Sequence, residues 1–302
     1  MIKNRSEILF LYDVRDANPN GDPLDENKPR IDEETGVNLV TDVRLKRTIR
    51  DYLYDFRNME VFVRGTRDSK GDLRTKEERL GDLNVSSGDE LLERCVDIRL
   101  FGATAAIKKK SIIFTGPVQF KLGRSLHRVK LEFVKGTTVM PSAESRKQGT
   151  FTEEYRLPYS LICFYGIVNE NAARWTKLTE EDLHLLLDGL WNGTKNLISR
   201  SKAGQTPRLL LKVNYREGNY HIGDLNSLLS LEKEVADEEL RDISQVKLDL
   251  TRLVEALERE KERIESVEYL ADRRVRFLCQ GEEVGIEDCL EKAGIQGKVI
   301  EL

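Results

Sequence analysis

The chain has 302 residues, 39% hydrophobic and 34% charged, with a formal net charge of −4. That length admits one large domain or two modest ones, and no apolar run approaches the roughly 20 residues of a membrane span. Its four cysteines (Cys95, Cys163, Cys279, Cys289) lack CxxC spacing and read as reduced thiols of a cytosolic protein.

The first segment, MIKNRSEILFLYDV, starts basic, but its apolar stretch is short and no small-residue cleavage site follows, so a mature cytoplasmic start is expected. Within it, EILFLYDV (7–14) predicts a buried strand. Residues 16–38 are rich in Asp, Asn, Pro and Gly and predict a loop. Its opening, DANPNGDP, has the first half of a calcium loop, but position 12 is Asn27, which cannot supply the bidentate carboxylate. Two readings stand: an ordinary tight turn, or a turn whose amides face a phosphodiester backbone. TDVRLKRTIRDYLYDF (41–56) predicts a helix capped by Thr41 or Asp42, with Leu45, Ile49, Tyr52, Leu53 and Phe56 on its apolar face. Lys46 and Arg50 share one flank, Arg44 lies on the other, and Arg47 points outward, where it can pair with Asp51 or meet phosphate.

Residues 64–90 predict a polar, partly helical insertion. CVDIRLFG (95–102) alternates like a strand, and SIIFTGPVQFKL (111–122) reads as another, with Gly116-Pro117 at a bulge or edge. From 123 to 158 the chain is basic and Gly-punctuated, with a hairpin expected near VKGTTV. LPYSLICFYGIV (157–168) predicts a strand, and 179–197 an amphipathic helix with Thr179 and Asp182 as a capping box. PRLLLKVNY (207–215) is strand-like. Beyond about 225 an acidic helical region is expected, including 245–267, then a strand-like RRVRFL and a short helix. The order strand, helix, strand, strand, helix, strand is the βαββαβ plan of ferredoxin-like and RRM folds, an α+β class. It permits RNA binding without establishing it.

Charge is unevenly spread. Residues 104–135 carry eight Lys/Arg against one Glu, 199–216 carry five Lys/Arg and no acid, and 223–302 hold 21 acids against 12 bases. Such a chain can present a basic groove to a polyanion, or simply a solvated charged surface. Three scattered histidines (His127, His184, His221) make no metal or acid–base centre, and GxSxG, HExxH and Walker A patterns are absent.

The ordered set NPNGDP, NKPRID, LVTDVRLKRTIRDYL, DIRLFGA and GPVQFKLGRSLH, over roughly residues 6–230, resembles the CRISPR-associated RAMP-type backbone subunit of type I Cascade complexes (the "Cas seven" family), closest to its type I-B branch. The resemblance implies a modified ferredoxin-like/RRM palm (1–56, 95–122 and 157–225), inserted helical fingers (57–94), a β-hairpin-like thumb (123–156) and an acidic helical region (226–302). It implies a non-enzymatic, cofactor-free protein of the prokaryotic cytoplasm that forms a helical filament along a CRISPR RNA (crRNA). Its partners would be crRNA, target DNA through the guide, further copies of itself, and the large, small, 5′-handle-binding and repeat-processing subunits.

Carried over by position, the guide-binding residues are Asn18, Asn20 and Gly21 in the loop, Arg44, Lys46, Arg47 and Arg50 on the helix, Arg124, His127 and Arg128, Arg146 and Lys147, and Arg200, Lys202 and Arg208. Many cation–phosphate contacts give salt-dependent, sequence-tolerant binding, as a subunit accepting any spacer requires. Two alternatives remain: a metal-dependent RNA endonuclease like the type III backbone subunits, using Asp16 or Asp22 with Asp13, and a protein-only scaffold.

Overall fold

In the computed structural model, residues 1–107, 110–137 and 151–302 are described. Strand β1 (Ser6–Ala17) runs through the molecular centre and continues past the predicted 7–14. The loop after it is less irregular than expected, since β2 (Gly21–Asp22) and β3 (Lys28–Pro29) pair as a small hairpin. Strand β4 (Val37–Val40) leads into helix α1 (Asp42–Arg57), capped by Thr41 as the sequence suggests.

The insertion holds α2 (Lys76–Asp82) and α3 (Gly88–Arg94). Next comes α4 (Val96–Phe101), where a strand was expected. Six residues are too few to separate the two periods. Packing decides: Val96, Leu100 and Phe101 join the main core, while Cys95 and Ile98 join a separate core of the insertion. The expected strand 111–122 is two strands in two sheets. β5 (Gly102–Ile107) and β6 (Lys110–Thr115) form a hairpin on the insertion, and β7 (Val118–Phe120) pairs in the main sheet. The break falls at Gly116, where a Cβ would lie 2.0 Å from the Phe101 carbonyl carbon.

Strands β8 (Gly123–Arg128) and β9 (Glu132–Thr137) precede the 18-residue β10 (Phe151–Val168). The first part of β10 pairs with β9, so a two-stranded ribbon leaves the sheet here. Helices α5 (Glu170–Thr176) and α6 (Glu180–Lys195) follow, α6 with the Thr179–Asp182 capping box, and then β11 (Thr206–Tyr215).

The C-terminal region is not the expected run of helix. It contains β12 (Ser230–Lys233), β13 (Val246–Asp249), α7 (Thr251–Arg259), β14 (Ile264–Ala271), β15 (Arg276–Cys279), β16 (Glu282–Val284), α8 (Ile286–Lys292) and β17 (Gly297–Val299). Within 245–267 only nine residues are α-helical, because Leu248 and Leu250 continue a strand pattern while Leu253, Val254 and Leu257 form a helix face. No Gly or Pro marks these boundaries in the sequence.

The main sheet is mixed, ordered β17-β14-β11-β1-β10-β8-β4, with β7 and β9 also on β10. Its central strand β1 is antiparallel to both neighbours, β11 and β10, while β14 and β17 run parallel to each other. The alternating side chains of β1 feed two cores. Ile8, Phe10 and Tyr12 meet α1, α4 and α6, whereas Leu9 and Leu11 meet the C-terminal layer of β12, β13, β15 and α7. The sheet is thus covered on both faces, and each wholly buried leucine contributes about 1.5–3 kcal/mol.

Candidate nucleic-acid interface

The loop after β1, the start of α1 and the 199–203 turn meet at one end of the sheet. Asn18 and Asn20 hold this junction together. The backbone N–H of Asn18 donates to the Ser201 carbonyl at 2.8 Å, and its side-chain amide donates to the Asn27 carbonyl at 2.6 Å. The Asn20 side-chain oxygen accepts from the backbone N–H and hydroxyl of Thr41, at 2.8 and 2.9 Å. Thr41 in turn accepts from the Arg44 backbone N–H at 3.2 Å, capping α1. At Gly21 a Cβ would fall 2.1 Å from the Asn27 side-chain oxygen, so close approach demands glycine. These asparagines spend their groups on shape, and Asn18 is only 3% exposed.

On this scaffold Arg44 and Lys202 stand near each other. Arg44 donates to the Thr48 hydroxyl at 2.9 Å, and Lys202 to the Ser201 hydroxyl at 3.2 Å. Neither forms an ion pair among the described residues. Burial holds the Arg44 pKa below its ordinary value, and burial together with the Arg44 charge does the same for Lys202. Two half-desolvated cations without a counter-ion make a site that an anion would relieve. Arg200 is exposed beside them and pairs with Glu154 at 3.0 Å.

The other residues expected to bind divide by burial. Lys46 reaches Asp42 at 3.0 Å and Gln119 at 3.2 Å. Arg47 is exposed and pairs with Asp51 at 2.7 Å. Arg124 and Arg128 point to solvent from β8, paired with Asp32 at 2.9 Å and Glu238 at 3.4 Å. The exposed pairs of Arg47, Arg124 and Arg128 are each worth at most about 1 kcal/mol, so a phosphate can compete for these cations, whereas the Lys46 side chain is only 11% exposed and lies over the Phe101 ring.

Three expected contacts instead face inward. Arg50 is buried, its guanidinium bonded to Asp97 at 2.8 Å and set over the Phe101 ring. Arg208 is buried between Asp13 (2.8 Å) and Asp272 (3.0 Å). His127 is 3% exposed, stacks on Tyr159, and accepts at Nε2 from the Leu161 backbone N–H at 3.2 Å. Burial lowers its imidazole pKa and favours the neutral ring. The alternation of GRSLHR foretold this, since His127 lies on the opposite strand face from Arg124 and Arg128. Arg146 and Lys147 lie outside the described residues.

The acids named for the nuclease alternative face different partners. Asp13 faces Arg208 and Tyr159, Asp22 faces Arg30 at 2.7 Å, and Asp16 lies 3.7 Å from Arg156. Among the described residues no group of three acids, histidines or cysteines is arranged to hold a metal.

A second cationic feature escaped the sequence reading. A cleft of about 320 Å³ between α1 and the insertion is lined by Arg47 and Arg50 together with Arg64, Arg74, Lys76 and Arg79. Acids interleave with these cations in sequence, so no basic run shows. In the fold Glu78 caps α2, Asp82 pairs with Arg74 and Glu60 with Arg79, which leaves Arg64 and Lys76 lining the cleft without a carboxylate among the described residues, the Lys76 ammonium donating to the Thr104 carbonyl at 3.3 Å.

A protein-family model described as CRISPR-associated protein Cas7 matches residues 4–251. CRISPR-associated protein Cas7 of Haloferax volcanii is 38% identical over 306 residues, covering 91% of this chain and 88% of that protein. Among solved structures, a chain of a "CRISPR RNA-guided surveillance complex, pre-nicking" aligns with a TM-score of 0.52 at 13% identity, over 96% of this chain and 99% of its own. A chain of a "CRISPR RNA-guided surveillance complex" aligns with a TM-score of 0.51 at 17% identity, over 88% of each. At these identities the structural likenesses speak for the fold alone. Among the described residues no helix is long and apolar enough to cross a membrane.

Proposed function

Since this chain belongs to the CRISPR-associated protein Cas7 family, we propose that it is the crRNA-binding backbone subunit of a type I Cascade complex, gripping guide phosphates without reading bases. The observation that carries this reading is the pair Arg44 and Lys202, two neighbouring cations with no carboxylate partner, held on a junction that Asn18, Asn20 and Gly21 shape. Arg47 and Arg200 extend the positive surface along α1 and the 199–203 turn, to which the largely buried Lys46 adds charge. Arg124, Arg128, Arg146 and Lys147 belong to the β8–β10 segment and would embrace the strand from there. Arg50, His127 and Arg208 act as internal supports.

In this reading β1, α1, β8, β10, α6 and β11 are the palm, in the order β11-β1-β10-β8 that a βαββαβ plan gives. Residues 57–94 are the fingers, 226–302 a covering layer, and the thumb, expected over 123–156, keeps 129–156 once β8 is counted with the palm. Several copies would line one guide, support its pairing with target DNA, and join the other Cascade subunits. The role requires no bond-making chemistry, because guide–target pairing carries sequence discrimination.

The test is guide binding over a salt series with several unrelated spacers. Arg44→Ala with Lys202→Ala should weaken binding about tenfold or more for every spacer and reduce the salt slope by about 1 to 2. A spacer-dependent loss contradicts backbone contact, and an unchanged affinity removes these two cations from the guide path.

A further inference from the structure

The hairpin between β2 and β3 presents a bare leucine. Leu24 is 96% exposed, the most exposed large apolar side chain among the described residues. Its loop is nonetheless well ordered. The Asp22 carboxylate accepts from the Leu24 backbone N–H at 3.0 Å, and the Lys28 backbone N–H closes the turn on the Asp25 carbonyl at 2.8 Å. Glu26 and Asn27 are held in the left-handed region (φ 48° and 55°), which is costly for residues other than glycine. Asp25 and Glu26 share one lysine, Lys28, so the tip is net negative. The loop is tied to its own molecule through Glu26, which accepts from the Tyr155 hydroxyl at 3.1 Å, and through Asn27, but Leu24 at its tip is displayed to water.

The cleft between α1 and the insertion has the opposite character. Its open wall is aliphatic, with Val43 68% and Val63 45% exposed, and Arg64 and Lys76 stand over it without carboxylates. It offers no bare aromatic face for a nucleobase. Phe62 is buried, and the Arg64 guanidinium covers the Tyr54 ring at 3.3 Å. An aliphatic wall flanked by cations is complementary to an acidic, aliphatic peptide.

We infer that Leu24 of one copy of this chain docks in the α1–insertion cleft of a second copy, with Asp25 and Glu26 meeting Arg64 and Lys76. This deepens the backbone-subunit reading, which requires further copies, by naming a contact between them. The two surfaces differ, so the contact is head-to-tail and can repeat from copy to copy.

Assembly is followed by sedimentation of the full chain at high concentration, with and without a long RNA. Affinity for a short RNA that spans one copy is measured separately. Leu24→Asp and the pair Arg64→Glu with Lys76→Glu should each shift assembly to at least about tenfold higher protein concentration, with short-RNA affinity changed less than about twofold. Adding Asp25→Lys and Glu26→Lys to the cleft pair should restore assembly. A wild-type chain that stays single in both conditions, unchanged assembly in Leu24→Asp, or failed restoration overturns the docking. So does a loss of short-RNA affinity in the cleft pair, which would give the cleft to the guide. If wild-type protein assembles as stated but binds no short RNA, the guide-binding reading fails and the docking stands.

Discussion

Lys202 ties guide binding to pH. Folded, it holds its proton less tightly than a free lysine, because burial and then Arg44 disfavour its charge. Its charged form therefore costs stability below the folded pKa, and that cost fades as pH rises through it. A bound phosphate reverses the balance and raises the pKa, so binding takes up protons. Guide affinity should fall as pH rises toward the ordinary lysine value of about 10.4. Lys202→Arg, permanently charged, should show a flatter profile over the same range. A wild-type profile as flat as that of Lys202→Arg would separate Lys202 from the guide. At this scale the sequence was partly legible: Arg44, Arg47 and Lys202 reach the surface as expected, but Arg50, His127 and Arg208 do not. A cation's spacing on a helix or strand gives its direction, whereas the acid that draws it inward comes from far away, as Asp97 does for Arg50 and Asp272 for Arg208.

Among elements, α1 serves two masters. One flank buries Leu45, Ile49 and Leu53, and its outer side displays Arg47. Arg50 crosses to Asp97 of α4, whose carboxylate also accepts from the Phe62 and Val63 backbone N–H groups at 2.8 and 3.1 Å. Removing one partner strands a buried charge, so Asp97→Asn or Arg50→Ala should cost about 3–5 kcal/mol in urea unfolding. Arg47→Ala should stay within about 0.5 kcal/mol, being exposed. Equal effects at 47 and 50 would contradict the buried brace. Helices α1 and α6 were legible because each has a cap, a long apolar stripe and sixteen residues to display it. The six residues of α4 were not, since its side chains split between two cores that exist only after the insertion folds.

For the whole molecule, the C-terminal layer was the least legible part. Its acidic composition suggested helix, yet it supplies β14 and β17 to the main sheet and seals the face that Leu9, Leu11, Leu211 and Val213 present. Ending the chain near 225 should therefore yield aggregated protein, seen by size-exclusion chromatography, and not a smaller folded palm. A soluble, cooperatively unfolding truncate would show the layer to be dispensable. Glu7, wholly buried, ties the segment leading to this layer to the sheet. Its carboxylate accepts from the hydroxyls of Tyr165 and Tyr215 and from the Ile222 and Gly223 backbone N–H groups. The Asp97 brace has a consequence at the same scale. With one carboxylate clasping both α1 and the start of the insertion, the two cannot hinge apart without abandoning a buried charge. The jaws of the cleft are preset at a fixed gape, and whatever enters them meets a gauge that selects by width and does not yield to fit.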